Sequence, residues 1–260
     1  MTVLSWNDML RRRQPLDRSV RLTIGVFDGL HIGHQNLMRG IVEGAGDAVS
    51  LVITFRTSPA LLLAPEHFPG FILSYEQKLS RLDSLGVQAV VAIDFSEELS
   101  NLTGGDFFNI LRENLTIQKI VVGQNFRFGK SRISGTDDLK EMVSNTEIEF
   151  KVTEPVFWGS AIVSSSRIRA AIGKAELADA RAMLAADYAL DLRGIPAEQV
   201  GPDVLRIRRD DIPQVIPPDG SYMVRCRGTE GSTTGRLVVQ HGALTLSAAP
   251  RGGVSTIVFT

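Results

Sequence analysis

Residues 23 to 35 read TIGVFDGLHIGHQ: a β-type run closing at Phe27, an Asp28-Gly29 turn, then His31-Ile32-Gly33-His34 at the opening of a helical stretch. A helix N-terminus carries unpaired amides and partial positive charge, so an anion is stabilised there. Gly33 lets the backbone approach whatever sits over the helix end, and two imidazoles three residues apart can donate to phosphate oxygens beside those amides. The junction also lies at the carboxyl end of the first strand of its βα unit, where open α/β sheets bind their ligands. It reads as a phosphate cradle. A histidine capping its own helix explains either imidazole alone, but it does not explain two histidines and two glycines at one junction.

Outward from this stretch, β-like runs alternate with amphipathic helical ones, the pattern of a parallel sheet covered on both faces. Strands are expected at Val20–Phe27, Ser50–Phe55, Val87–Ile93, Lys119–Val122 and Glu147–Val152. Helices are expected near Gly33–Gly44, Tyr75–Leu85, Asp106–Leu115 and Asp137–Ser144, followed by one opening in Ser164–Ser166 and one over Glu176–Ala185. Near Asp187 the helical period disappears. Pro196, Pro202, Pro213, Pro217 and Pro218 then punctuate short β runs at Ser221–Cys226, Leu237–Gln240 and Ser255–Phe259. The sequence thus divides into an α/β domain over residues 1–186 and a small all-β domain over 187–260, too small to be comfortably stable on its own core.

With 28 Lys+Arg against 29 Asp+Glu in 260 residues, the formal net charge is −1, so no overall electrostatic footprint for nucleic acid is present. The single cysteine, Cys226, excludes an intramolecular disulfide and a Cys-cluster zinc site. No apolar run approaches the ~18 residues of a membrane span, and the amino terminus lacks the pattern of an export signal. These features predict a cytoplasmic protein that binds neither nucleic acid nor membrane. Arg11–Arg13 reads as a solvated helix face, His67 and His241 lack partners at ligand spacing, and Trp158 is expected in the core rather than stacked on a ligand ring.

Two further segments carry chemistry. In VSSSRIR, Val163 to Arg169, the serines can cap helix amides and Arg167 and Arg169 offer forked donors that match phosphate geometry. In VVGQNFRFGKSRISGT, Val121 to Thr136, five residues separate Gly123 from Gly129-Lys130-Ser131 where a P-loop has four, and they include Phe126, Arg127 and Phe128. A substrate loop fits better than a phosphate nest. Asn125 and the aromatics would meet a ring system and Lys130 or Arg132 a phosphate, although Phe126 and Phe128 serve equally well as core plugs.

GVFDGLHIGH, VVGQNFRFG and VSSSRIR, in that order, resemble the adenylyltransferase module of the bacterial bifunctional riboflavin kinase/FAD synthetases, over about Thr23 to Tyr188. The resemblance implies a Rossmann-like nucleotidyltransferase fold and the reaction ATP + FMN → FAD + pyrophosphate, with Mg²⁺ bound through the ATP phosphates. By it, His31, His34 and Arg169 form the catalytic set. Gly25, Phe27, Asp28, Gly29 and Gly33 shape the ATP pocket together with Ser164, Ser165 and Ser166, the last standing where the family has Thr. Asn125, Arg127, Phe128, Lys130 and Arg132 fall on the FMN side, and no metal ligand is implied.

The sequence departs from the family pattern twice. Arg56 and Ser58 stand where the family usually has an acid and a histidine. Beyond Gly194-Ile195-Pro196, Ala197 and Gln199 replace the Thr and Asn of the kinase motif. These departures imply a reduced barrel without riboflavin kinase activity. The rival readings are another nucleotidyltransferase with the His-x-Gly-His pair, of the cytidylyltransferase or pantetheine-phosphate adenylyltransferase type, and a non-catalytic flavin-nucleotide binding protein. A class I aminoacyl-tRNA synthetase shares the four letters HIGH, but the small size and neutral charge speak against it.

Overall fold

The runs Val20–Ile24, Val49–Phe55 and Ala89–Ile93 are mostly apolar and buried almost along their whole length, as strands covered on both faces must be. In the computed structural model they form the middle of a six-stranded, all-parallel sheet. Its order is Thr2–Ser5, Ala89–Ile93, Val49–Phe55, Val20–Ile24, Ile117–Gly123, Glu149–Thr153. The structure describes residues 1–12, 16–229, 231–240, 242–247, 249 and 253–260. Arg13 and His241 therefore lie outside the described residues.

From Val20–Ile24 the chain builds outward on one side through Val49–Phe55 and Ala89–Ile93, then returns to place Ile117–Gly123 on the other. The order reverses between Val20–Ile24 and Ile117–Gly123. Such a switch point opens a crevice at the carboxyl ends of the two strands, the usual ligand position in this class of sheet. The helix Ile32–Val42 and the loop after Gly123 both begin there.

The expected helices appear at Ile32–Val42, Tyr75–Ser84, Gly104–Asn114, Thr136–Val143, Ser165–Gly173 and Leu177–Leu184. Side chains stop their amino ends: Thr103 and Asp106 form a reciprocal capping box, and Ser164 caps Ser165–Gly173.

A second, antiparallel sheet has seven strands in the order Ala189–Asp191, Thr256–Phe259, Gly220–Gly228, Gly231–Gln240, Ala243–Ser247, Val204–Arg208, Glu198–Gly201. Alternation sets its two faces. Val224, Cys226, Leu237, Val239, Leu244 and Leu246 turn inward, while Arg206, Arg225 and Arg236 face solvent. The terminal strand Glu198–Gly201 carries a bulge between Gln199 and Gly201.

By packing, the chain divides into two units, one of Met1–Phe68 with Leu79–Val156 and one of Pro69–Lys78 with Phe157–Thr260. The boundary at 186/187 is drawn from motifs and element types, and it stays a proposal about modules. One expectation is corrected: Trp158 is 41% exposed. It sits on a hairpin of two residues per strand, Phe157–Trp158 with Ala161–Ile162, too short to carry it into a core, and its indole N–H donates to Asp179 at 3.4 Å.

Candidate active site

The strand Val20–Ile24 ends one residue before Gly25, whose N–H bonds the Ile53 carbonyl at 3.0 Å. The backbone then turns sharply. Phe27 and Leu30 both take left-handed conformations, with φ of 52° and 43°. For residues with a Cβ this stores about 1–3 kcal/mol each, a cost that clusters at functional sites. Two side chains hold the turn: the Thr54 hydroxyl donates to the Val26 carbonyl at 3.1 Å, and the Gln35 amide to the Leu30 carbonyl at 2.9 Å.

His31 is the N-cap of Ile32–Val42, its Nδ1 accepting from the His34 N–H at 3.3 Å. It is buried, and the loss of solvation lowers its pKa to about 4, with its own backbone hydrogen bond opposing part of the shift. At neutral pH the ring is uncharged. Because Nδ1 is the acceptor, the proton resides on Nε2, which is left as an N–H donor.

The His34 ring stacks on His31 with centroids 3.6 Å apart, and Phe27 meets His34 edge-on at 5.2 Å. Gly33 leaves the His31 ring its place: a Cβ there would lie 3.2 Å from that ring, which His34 backs, so the ring would have to shift by a few tenths of an ångström. Gly25 lies against the Phe27 ring, Asp28 is buried in the turn, and Gly29 takes a φ of 86°. The outcome is a neutral His31 that presents Nε2–H at a helix start and is backed by the stacked His34 ring.

On the neighbouring strand, Ile117–Gly123 runs into the loop that carries the aromatic motif. Arg127–Phe128 pairs with Ser134–Gly135, and the Lys130 N–H reaches the Leu102 carbonyl at 2.7 Å. Phe128 belongs to the core and stacks on Phe126 at 5.1 Å. The core-plug role therefore describes its packing. Asn125, Arg127, Lys130 and Arg132 are exposed, and Ser131 and Arg132 are successive left-handed residues with φ of 55° and 57°. The aromatic pair thus underlies a loop that carries one exposed amide and three exposed cations, of which Arg132 sits on the strained turn.

The serine-arginine segment lies in the second packing unit. Ser164 spends its hydroxyl on the cap, accepting from the Arg167 N–H at 3.3 Å. Ser165 is half-buried and Ser166 exposed. The Arg167 guanidinium turns back to the Ala161 carbonyl at 2.6 Å, and Arg169 Nε donates to the Gly70 carbonyl at 2.8 Å. Gly70, Gln35 and Thr54 support the motifs but were not singled out from sequence, since nothing local marks a side chain that braces a distant turn.

At the two departures from the family pattern, Arg56 pairs with Asp94 at 3.0 Å and Ser58 caps the short helix Pro59–Leu63. Gln199 donates to the Pro202 carbonyl at 3.0 Å. Among the described residues no group of three or more His, Cys, Asp or Glu is disposed to hold a metal, and no helix is long and apolar enough to cross a membrane.

Three bifunctional riboflavin kinase/FMN adenylyltransferases are similar to the chain. The one from Buchnera aphidicola (subsp. Acyrthosiphon pisum) is 28% identical over 183 residues, which cover 69% of this chain and 58% of that protein. The one from Escherichia coli (strain K12) is 29% identical over 218 residues, 80% of this chain and 68% of that one. The one from Bacillus subtilis (strain 168) is 29% identical over 224 residues, 78% and 66% respectively. The chain thus spans between 58% and 68% of the length of these three relatives.

A solved structure described as a macrolide-efflux protein from Streptococcus pneumoniae superposes with a TM-score of 0.82 at 23% identity, covering 100% of this chain and 89% of that one. That likeness concerns the fold alone. The FAD synthetase family model matches residues 13–167, the stretch containing the histidine pair, the aromatic loop and the serines, and the chain belongs to the FAD synthetase family.

Proposed function

We propose that the chain transfers the adenylyl group of ATP to the phosphate of FMN, releasing pyrophosphate and forming FAD, in the cytoplasm. The observation that carries this reading is the buried, neutral His31, locked by its Nδ1 into presenting Nε2–H at a helix start on the switch point of the sheet.

No enzyme nucleophile is needed. An oxygen of the FMN phosphate attacks the α-phosphorus, the bond from that phosphorus to the bridging oxygen breaks, and the electron pair leaves with pyrophosphate. Catalysis then rests on alignment and on donors placed where negative charge develops. His31 and His34 serve that role, and Arg169 and the serine turn Ser164–Ser166 are donors of a kind that suits ATP phosphates. Asn125, Arg127, Lys130 and Arg132, on the base formed by Phe126 and Phe128, hold the flavin nucleotide.

The donor set fits phosphate oxygens better than a metal ion, because His31 has committed its one lone-pair nitrogen to the His34 amide. Mg²⁺ would accordingly be held by the ATP phosphates and supply charge neutralisation at the departing pyrophosphate.

Incubating the purified protein with Mg²⁺, ATP and either riboflavin or FMN, and separating the flavins by chromatography, tests the proposal. FAD is expected from FMN, and no product from riboflavin, because Ala197 and Gln199 replace the kinase Thr and Asn. FMN appearing from riboflavin would overturn the second half, and absence of FAD the first.

Gly33→Ala is expected to separate function from stability. Alanine favours the helix by up to ~1 kcal/mol, while its methyl displaces the His31 ring and slows FAD formation about 10-fold. Turnover and a thermal melt on the same sample check both halves.

A further inference from the structure

The second packing unit joins Arg169 to the antiparallel sheet through a short chain of backbone and amide contacts. Arg169 Nε donates to the Gly70 carbonyl at 2.8 Å, so one edge of the guanidinium is set by where that carbonyl points. Gly70 has little freedom. Its φ is 92°, and a Cβ there would stand 3.1 Å from the Val215 nitrogen. The next residue, Phe71, is laced to the segment after Ile212: its N–H bonds the Pro213 carbonyl at 2.9 Å, and its carbonyl accepts from the Val215 N–H at 2.8 Å.

Gln214, at the centre of this ladder, is almost completely buried. Its amide nitrogen lies 3.0 Å from the carbonyls of Ile72 and Ala189 and 3.0 Å from the Gln77 oxygen, and its own oxygen accepts from the Asp191 N–H at 2.7 Å. The Tyr188 hydroxyl donates to the Val215 carbonyl. A buried amide satisfied from both ends holds its neighbours in register, because any shift would strand a polar group away from water.

We infer that Gln214 is a positioning residue for adenylyl transfer. By fixing the Phe71 ladder it aims the Gly70 carbonyl, and that carbonyl orients Arg169. The inference rests on the proposed role of Arg169 at the ATP phosphates, and it gives the C-terminal sheet a task in the first reaction that is independent of any kinase chemistry.

The test is a double-mutant cycle in the full-length chain with FMN, ATP and Mg²⁺, reading kcat and KM separately. Gln214→Ala is expected to lower kcat about 10- to 100-fold with the KM for FMN changed less than about 2-fold, since misaiming a donor costs rate and not flavin binding. Arg169→Ala is expected to lose about 100-fold or more, and the double variant to be no slower than Arg169→Ala alone.

Losses that multiply in the double variant would overturn the inference, because Gln214 would then be acting through something other than Arg169. Near-wild-type turnover by folded Arg169→Ala would overturn the reading of Arg169 itself, and the inference with it. Should Gln214→Ala not fold, Gln77→Ala carries the same cycle with a smaller expected loss in kcat, since removing one partner of the Gln214 amide loosens its hold on the Phe71 ladder.

Discussion

His31→Ala and His34→Ala should each reduce FAD formation roughly 100- to 1,000-fold, the usual cost of removing one donor aimed at developing negative charge. The two positions differ in what else they lose. His31 also caps Ile32–Val42, so its alanine variant should be destabilised by about 1 kcal/mol as well. His31→Asn separates the effects: asparagine is a good cap and keeps an acceptor for the His34 amide, yet it cannot reproduce the reach of Nε2–H. It should unfold like the wild type in urea and still be 100-fold or more impaired. The mechanism is wrong if either folded alanine variant makes FAD at close to the wild-type rate.

Acid should weaken the protein through the same residue. His31 titrates at about 4 when folded, against 6.5 for an ordinary imidazole, because burial penalises its charged form. Between these values the unfolded chain binds a proton that the folded chain does not. This contribution to stability is therefore complete above about pH 6.5 and is lost as the pH falls towards 4. A gap of that size corresponds to about 3 kcal/mol. Urea unfolding of the wild type and of His31→Asn at pH 7 and pH 4 measures it. The wild type should lose about 3 kcal/mol more than the variant, in which carboxylates titrate but the imidazole is gone. Parallel curves would mean that His31 is solvated in the folded protein.

The long periodic segments were legible from sequence because burial imposes their pattern. Val20–Ile24 and Ile117–Gly123 lie within a few residues of the expected strands, and Gly104–Asn114 and Leu177–Leu184 do the same for the helices. Thr2–Ser5 escaped notice: as a four-residue edge strand it is mostly exposed and shows no apolar run. Val204–Arg208 and Ala243–Ser247 were missed because arginine and threonine alternate with their buried residues, so that only the register of the sheet reveals them.

At the site, the histidine pair was legible as a motif, but the tautomer of His31 was not, since it depends on a hydrogen bond inside the folded turn. Gln214 carried no signal. Its significance comes from four partners, Ile72, Gln77, Ala189 and Asp191, all distant in the chain, that no spacing rule brings together.

Among the described residues the seven-stranded sheet is open, and an open sheet exposes unpaired amides that can recruit a strand from another molecule. One margin, Ala189–Asp191, is only three residues long. At the other, Pro196 and Pro202 flank Glu198–Gly201, and its bulge breaks the regular ladder on which templated association depends. Both rims thus resist amyloid-like stacking, and colloidal solubility at high concentration is where removing Pro202 would first be felt.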